Sequence, residues 1–333
     1  MAHTTGTTTP DLTSVLTTWL NKNFVSDLEW MLQYQRVTEK AVIPAGSGNI
    51  GRFLTFNAPT KYKSYSGDGG GDGSTAITEG STTANEITGI TQTSTNITIG
   101  EFGEFTKIGT LYEYASVSGL RAKLLKRLRD GAAFSLDRFT LKKALLTTTT
   151  RIATAGTAGS TAYTAALLQT SLGASAIMST RRVLVENLAQ GFEGEAGIPN
   201  GQYACIVTPG QEQDIITEST TTRTTWQYGN VNVPGPMGQE KFVKGYLGSI
   251  YQVAMFVTQN YTTLTNSGSG ADVGIMFADG GVGAMAFQNM NAEIIVNDVN
   301  SPYKNMNSIA WHANFGAGLI DANRVIKLYS LSS

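Results

Sequence analysis

From residue 64 to 73 the chain reads Ser64-Tyr65-Ser66-Gly67-Asp68-Gly69-Gly70-Gly71-Asp72-Gly73, with five glycines in the seven positions 67 to 73. The stretches on either side are suited to strands. Arg52-Phe53-Leu54-Thr55-Phe56 precedes the run, and Thr88 to Ile99, which follows it, is rich in β-branched residues and carries Ile97 and Ile99 on one face. Glycines bring no side chains to order a loop, and each costs conformational entropy to fix. The pattern therefore predicts an extended two-stranded projection with a loose end over 45–110. An isolated hairpin is marginal in water, so this projection must be held by something outside itself. The glycine run is not read as a ligand loop. No Lys-Ser/Thr follows it, as a phosphate loop would need, and the bidentate Glu that would complete a calcium site around Asp68 and Asp72 is missing. Gly67, Asp68, Gly70, Asp72 and Gly73 are read instead as contacts to a neighbouring molecule.

The remaining periodicities mix helices with short strands. Asp11 stands before Leu12, Val15, Leu16, Trp19 and Leu20, an amphipathic stripe, and Asp27 to Gln35 carries Leu28, Met31 and Leu32 on a similar face. Residues 1–44 thus read as an arm of broken helices whose apolar face, Trp19 included, seeks a partner. In 111–146, Val117, Leu120, Leu124, Leu128, Ala132, Leu136 and Phe139 recur at three or four residues and predict one long helix, ended by the crowded β-branched run Thr147 to Thr150. Arg121, Lys123, Lys126, Arg127 and Arg129 lie mostly off that stripe. They are read as a solvated or paired face, with Arg127 and Arg129 as candidate inter-subunit contacts or a strip facing a polyanion.

A helix over Ala174 to Ala189, a buried strand Tyr203 to Val207 and a helix opened at Pro209 follow. Strands are expected at 242–257, 273–277, 285–287, 293–296, 309–315 and 324–329. This order suggests an α+β fold and not a βαβ repeat.

Composition narrows the chemistry. Of 333 residues, 41% are apolar and only 15% charged, with 44 Thr and 37 Gly, so polar bulk is mostly uncharged. A formal net charge of −1 provides no global field for nucleic acid or an anionic membrane. No apolar stretch approaches the ~20 residues of a membrane helix, and the opening MAHTTGTTTP shows no secretory-signal pattern. Of the two histidines, His3 lies in a Thr-rich tail and His312 in an alternating strand, where a structural role is expected. Ser179 and Gly248-Ser249 form no nucleophile elbow, and the lone Cys205 reads as a small core hydrophobe. No catalytic residue, cofactor or metal is expected.

The order of parts resembles the major capsid proteins of tailed bacteriophages with the HK97-like fold. More narrowly, Thr78-Glu79-Gly80, then Ile99-Gly100-Glu101-Phe102-Gly103-Glu104-Phe105 ahead of the long helix, resembles the capsid family typified by phage N4, with Phe102-Gly103 where that pattern leads one to expect Tyr-Gly. Ile206-Val207-Thr208-Pro209, Gly245-Tyr246-Leu247-Gly248-Ser249-Ile250, Ser301-Pro302-Tyr303 and Ile309-Ala310-Trp311-His312 agree in style.

The resemblance implies a non-enzymatic shell subunit. It has an N-terminal arm (1–44), an E-loop hairpin (45–110), a spine helix with peripheral domain (111–164), an axial domain (165–285) and terminal strands returning to the peripheral domain (286–333). It implies homo-oligomers, hexamers and pentamers closing into an icosahedral shell around double-stranded DNA, assembled in the bacterial host cytoplasm. Portal, scaffolding and decoration proteins would be its further partners, and no membrane is involved. An encapsulin-type compartment shell and a phage tail or surface adhesin are the alternatives.

Overall fold

The computed structural model describes residues 33–44, 46, 48–56, 92–109, 120–152, 172–194, 198–217, 246–260, 263–266, 269–287, 293–298 and 306–331. Alternation along one strand explains the larger of its two main sheets. In β6 (Tyr203–Val207), Tyr203, Cys205 and Val207 pack on one side and Ala204 and Ile206 on the other, and all five are buried. A strand apolar on both faces needs a covering layer on each. It pairs in parallel with β8 (Val253–Val257) and antiparallel with β10 (Ser269–Phe277). Beyond β10 lie β14 (Val325–Leu331) and β5 (Thr150–Ile152), beyond β8 lies β7 (Tyr246–Ile250), and β9 (Thr263–Asn266) also pairs with β10. The expected strand at 242–257 is thus split in two. Tyr251 and Gln252 take φ of 49° and 62°, the left-handed pair that a tight hairpin turn requires.

One face of this seven-stranded sheet is covered by Ile177 and Leu184 of α2 (Ala174–Glu186) and by Ile215 of α3 (Pro209–Thr217). Gln211 pins α3 down. Its side-chain oxygen accepts from the Thr208 amide at 3.3 Å, and its Nε2 donates to the carbonyls of Asp272 and Leu328 and to Ser330 Oγ at 3.2, 3.3 and 2.9 Å. Gly274 leaves room for it, since a Cβ there would lie 2.6 Å from Gln211 Oε1. The opposite face is covered by Leu141 and Ala144, at the end of α1 (Leu120–Ala144), and by Tyr34 and Val37 of the 3-10 turn Tyr34–Val37.

The rest of α1 packs on a second sheet. Its 25 residues span about 38 Å. Leu125, Leu128, Ala132, Ala133 and Leu136 meet Ile309, Trp311, Ala313, Phe315 and Ala317 of β13 (Met306–Leu319), so the three-to-four spacing on the helix faces the two-residue spacing on the strand. Phe139 closes the seam, 4.9 Å from the Phe102 ring and 6.1 Å from that of Phe315. This sheet runs β1 (Thr38–Ile43), β11 (Val282–Phe287), β13, β12 (Glu293–Asp298), with β4 (Gly100–Gly109) also on β13. β1 is parallel to β11, and the other pairings are antiparallel.

Strand β11, which spans 285/286, belongs to the sheet of β13, while β14 belongs to the sheet of β6. The turn at Asp321–Arg324, with Asp321 Oδ1 accepting from the Asn323 amide at 2.9 Å, carries the chain from one sheet to the other. The described part of the long helix begins at Leu120, so Val117 lies outside the described residues.

Candidate assembly surfaces

β2 (Ile50–Phe56) and β3 (Gln92–Thr98) form the expected antiparallel pair, in register from Ile50 opposite Thr98 to Phe56 opposite Gln92. One face of this ribbon lies on the second sheet, where glycines let it approach. A Cβ on Gly283 would sit 2.5 Å from the Phe53 ring, one on Gly318 2.7 Å from Ile97 Cγ1, and one on Gly316 2.7 Å from the Thr98 carbonyl; one on Gly51 would collide with the Met285 sulfur. Ile97 joins Ile43, Ile99 and Met285 in a small core of its own. The ribbon's base is therefore rooted in the molecule.

Its other face is not covered by the described residues. Ile50 is 58% exposed and Leu54 55% exposed. Between them Arg52 Nε donates to Asn96 Oδ1 at 3.2 Å across the pair. Leu54 and Thr93 reach one wall of a cleft of about 1010 Å³, whose other walls include Val185 and Leu188 at the end of α2 and Ile320 and Arg324 of the inter-sheet turn. Leu188 holds φ of 56°, a position that usually falls to glycine, and its side chain is 38% exposed beside Val185. Apolar side chains on a free ribbon face and along a cleft rim are the features of a contact surface. Leu54, Val185 and Leu188 were not singled out by sequence. The available signal was the apolar pair Ile50 and Leu54 on the face of β2 opposite Phe53, which marks a strand that needs cover on both sides.

Of the residues read as contacts, Trp19 and Gly67, Asp68, Gly70, Asp72 and Gly73 lie outside the described residues. Arg127 and Arg129 are on α1, where residues two apart point in different directions. Arg127 is exposed with Lys123 and Lys126, while Arg129 is half-buried. Asp130, three residues on from Arg127, breaks the positive charge of that face.

Among the described residues no group of three or more His, Cys, Asp or Glu side chains is placed to hold a metal ion, and no helix is long and apolar enough to cross a membrane. His312 sits in the ladder of β13, between Gly103 of β4 and Glu293 of β12. Cys205 is fully buried, and burial pushes its thiol up to about 12, too high to furnish a thiolate.

One buried carboxyl is unusual. Asp137 of α1 is 2% exposed, and burial raises it to about 7 although several hydrogen bonds favour its charged form. The Tyr34 amide donates to its Oδ1 at 2.8 Å and Asn260 Nδ2 to its Oδ2 at 3.2 Å. Sequence gave no reason to separate this Asp from the others, since only the packing of three distant segments buries it.

No family model matches the chain, and no curated protein matches it in sequence. Solved structures do. The capsid of Ralstonia phage GP4 aligns with a TM-score of 0.67 at 11% identity, over 91% of this chain and 92% of that one. The capsid of cyanophage P-SCSP1u aligns at 0.59 and 14%, over 90% and 88%. The cyanophage Pam1 capsid aligns at 0.58 and 11%, over 92% and 87%. Coverage of about nine-tenths of both partners in each case shows that this chain has the mixed α+β fold of phage capsid structures.

Proposed function

We propose that this chain is the major capsid protein of a tailed bacteriophage, a structural subunit of the HK97-like kind and, within it, of the family typified by phage N4. Identical copies would form hexamers and pentamers that close into an icosahedral shell around double-stranded DNA. The observation that carries this reading is the fold match to phage capsids over about nine-tenths of both chains. The sheet of β6 with α2 and α3 is read as the axial domain, the sheet of β13 with α1 as the peripheral domain, β2–β3 as the base of the E-loop, and residues 1–44 as the arm. Apolar burial on the outer face of β2 and along the cleft rim supplies a driving force that needs no bond-making chemistry. Portal, scaffolding and decoration proteins are its expected further partners, and the host cytoplasm its place of assembly.

Negative-stain microscopy of the purified full-length protein tests this. Closed shells or capsomer rings are the expected result. Fibres, or a monomer that stays dispersed at high concentration, would overturn it.

A further inference from the structure

Charge is spread unevenly along this chain. The 25 residues of α1 carry eight of its 24 Lys and Arg but only two of its 25 Asp and Glu, so the helix holds a formal charge of +6 and the remaining residues −7. One of the two acids, Asp137, is buried. The net charge of −1 therefore hides a local concentration of cations.

Most of these cations face outward together. Lys123, Arg127, Arg138 and Lys142 follow one another at four, eleven and four residues, intervals that keep them on one face of a helix, and Lys126 flanks them. All five are exposed, and none forms an ion pair among the described residues. They fall into two groups. Between the groups stand the half-buried Asp130, Phe134 at 45% exposed, and Glu104 of β4, whose Oε2 would lie 3.5 Å from a Cβ on Gly131. The strip from Lys123 to Lys142 is about 28 Å long, and Arg127 and Arg138 are about 16 Å apart along the axis. The major groove of a DNA duplex is about 12 Å wide. Each group can thus meet one phosphate backbone while the two acids and Phe134 lie over the groove between. A flexible acidic polypeptide has no such gap in its charge.

We infer that this face of α1 binds the phosphate backbones of double-stranded DNA irrespective of base sequence, with Lys123, Lys126 and Arg127 on one strand and Arg138 and Lys142 on the other. The inference deepens the proposed function by naming the face of the subunit turned toward the genome, and it rests on that reading for the source of the duplex.

Fluorescence anisotropy of a labelled 10-base-pair duplex of mixed sequence, about 34 Å long and so matched to one strip, tests it with the full-length, unassembled protein between 50 and 200 mM salt. Five phosphate contacts give a slope of log K against log salt of about −4.5, a loss of roughly 500-fold over that range. The double variants Lys123→Gln/Arg127→Gln and Arg138→Gln/Lys142→Gln should each bring the slope to about −2.7. Arg182→Gln, at an exposed arginine of α2 paired with Glu186 at 2.7 Å, should leave it unchanged. No binding at 50 mM, a slope unmoved in either double variant, or an equal shift in Arg182→Gln overturns the inference. Displacement of the duplex by poly-glutamate at equal charge concentration assigns the face to an acidic polypeptide and also overturns it. Shell formation is scored separately by microscopy: shells without duplex binding defeat this inference alone, and duplex binding without shells defeats the proposed function alone.

Discussion

A methyl group on Gly318 would meet Ile97 Cγ1 at 2.7 Å, with Cδ1 only 0.2 Å further away at 2.9 Å, in a β-branched side chain that is 3% exposed and has little freedom to move. Gly318→Ala, which in an open strand would favour folding, is therefore expected to destabilise this protein by about 1–3 kcal/mol through overpacking. Ile97→Ala alone should cost about 2–5 kcal/mol as a cavity. In the double variant the added methyl moves into the space Ile97 vacates, so the combined loss should fall short of the sum by more than the ~0.5 kcal/mol scatter of independent sites. Urea unfolding of the three variants decides it, and simple additivity would show that the ribbon does not seat on this glycine. Some of this scale was legible in the sequence. Cys205 among Ala204, Ile206 and Val207 announced a core thiol, and it is fully buried. The seat glycines and Asp137 were not legible, because what distinguishes them is the atom that packs against them from more than a hundred residues away.

At the scale of elements, the run Thr147 to Thr150 shows how a local signal can carry a second meaning. β-Branched crowding predicts that the helix stops there, and α1 does end at Ala144. The hydroxyls then do further work. Thr147 Oγ1 donates toward the carbonyls of Val325 at 2.7 Å and Ala322 at 3.0 Å and accepts from the Thr149 amide, while Thr149 Oγ1 donates to Ala322 at 3.2 Å. This clip fastens the end of α1 to the turn where the chain changes sheets. Thr147→Val keeps the shape and removes the donor, leaving buried carbonyls short of a partner. It should lower stability by about 1–3 kcal/mol, whereas the more peripheral Thr149→Val should cost less. Thermal unfolding of the two variants separates them, and equal small losses would mean that the bonds are replaced by water. Helix α1 and strands β6, β10 and β13 could be read from periodicity because each covers its own apolar pattern. Which sheet each strand joins could not. β1 pairs with β11, at Thr38 opposite Val282, and β14 leaves β13 for the other sheet; both choices are made by tertiary packing of strands with similar patterns.

For the whole molecule, the division between surface and interior on α1 separates two arginines that look equivalent in sequence. Arg129 is half-buried, so Arg129→Glu should act through folding and lower the unfolding temperature of the unassembled chain. Arg127 is exposed, so Arg127→Glu should leave that temperature within about 1 °C, consistent with the small effects of surface substitutions. Under the proposed function, Arg127→Glu should instead reduce particle yield or retained DNA. An Arg127→Glu protein with unchanged yield and DNA content would remove this face from assembly. The same reasoning applies to the projection whose base is β2–β3. Its inner face is anchored by Phe53 and Ile97 on the second sheet. Deleting Gly67 to Gly73 should therefore leave the unfolding midpoint of the subunit unchanged and show its effect only between copies, as fewer, misshapen or no closed shells by electron microscopy. Normal shells from the deleted chain would show that the glycine run is dispensable, and assembly would then have to rest on the exposed Ile50 and Leu54 of the ribbon and on the cleft rim.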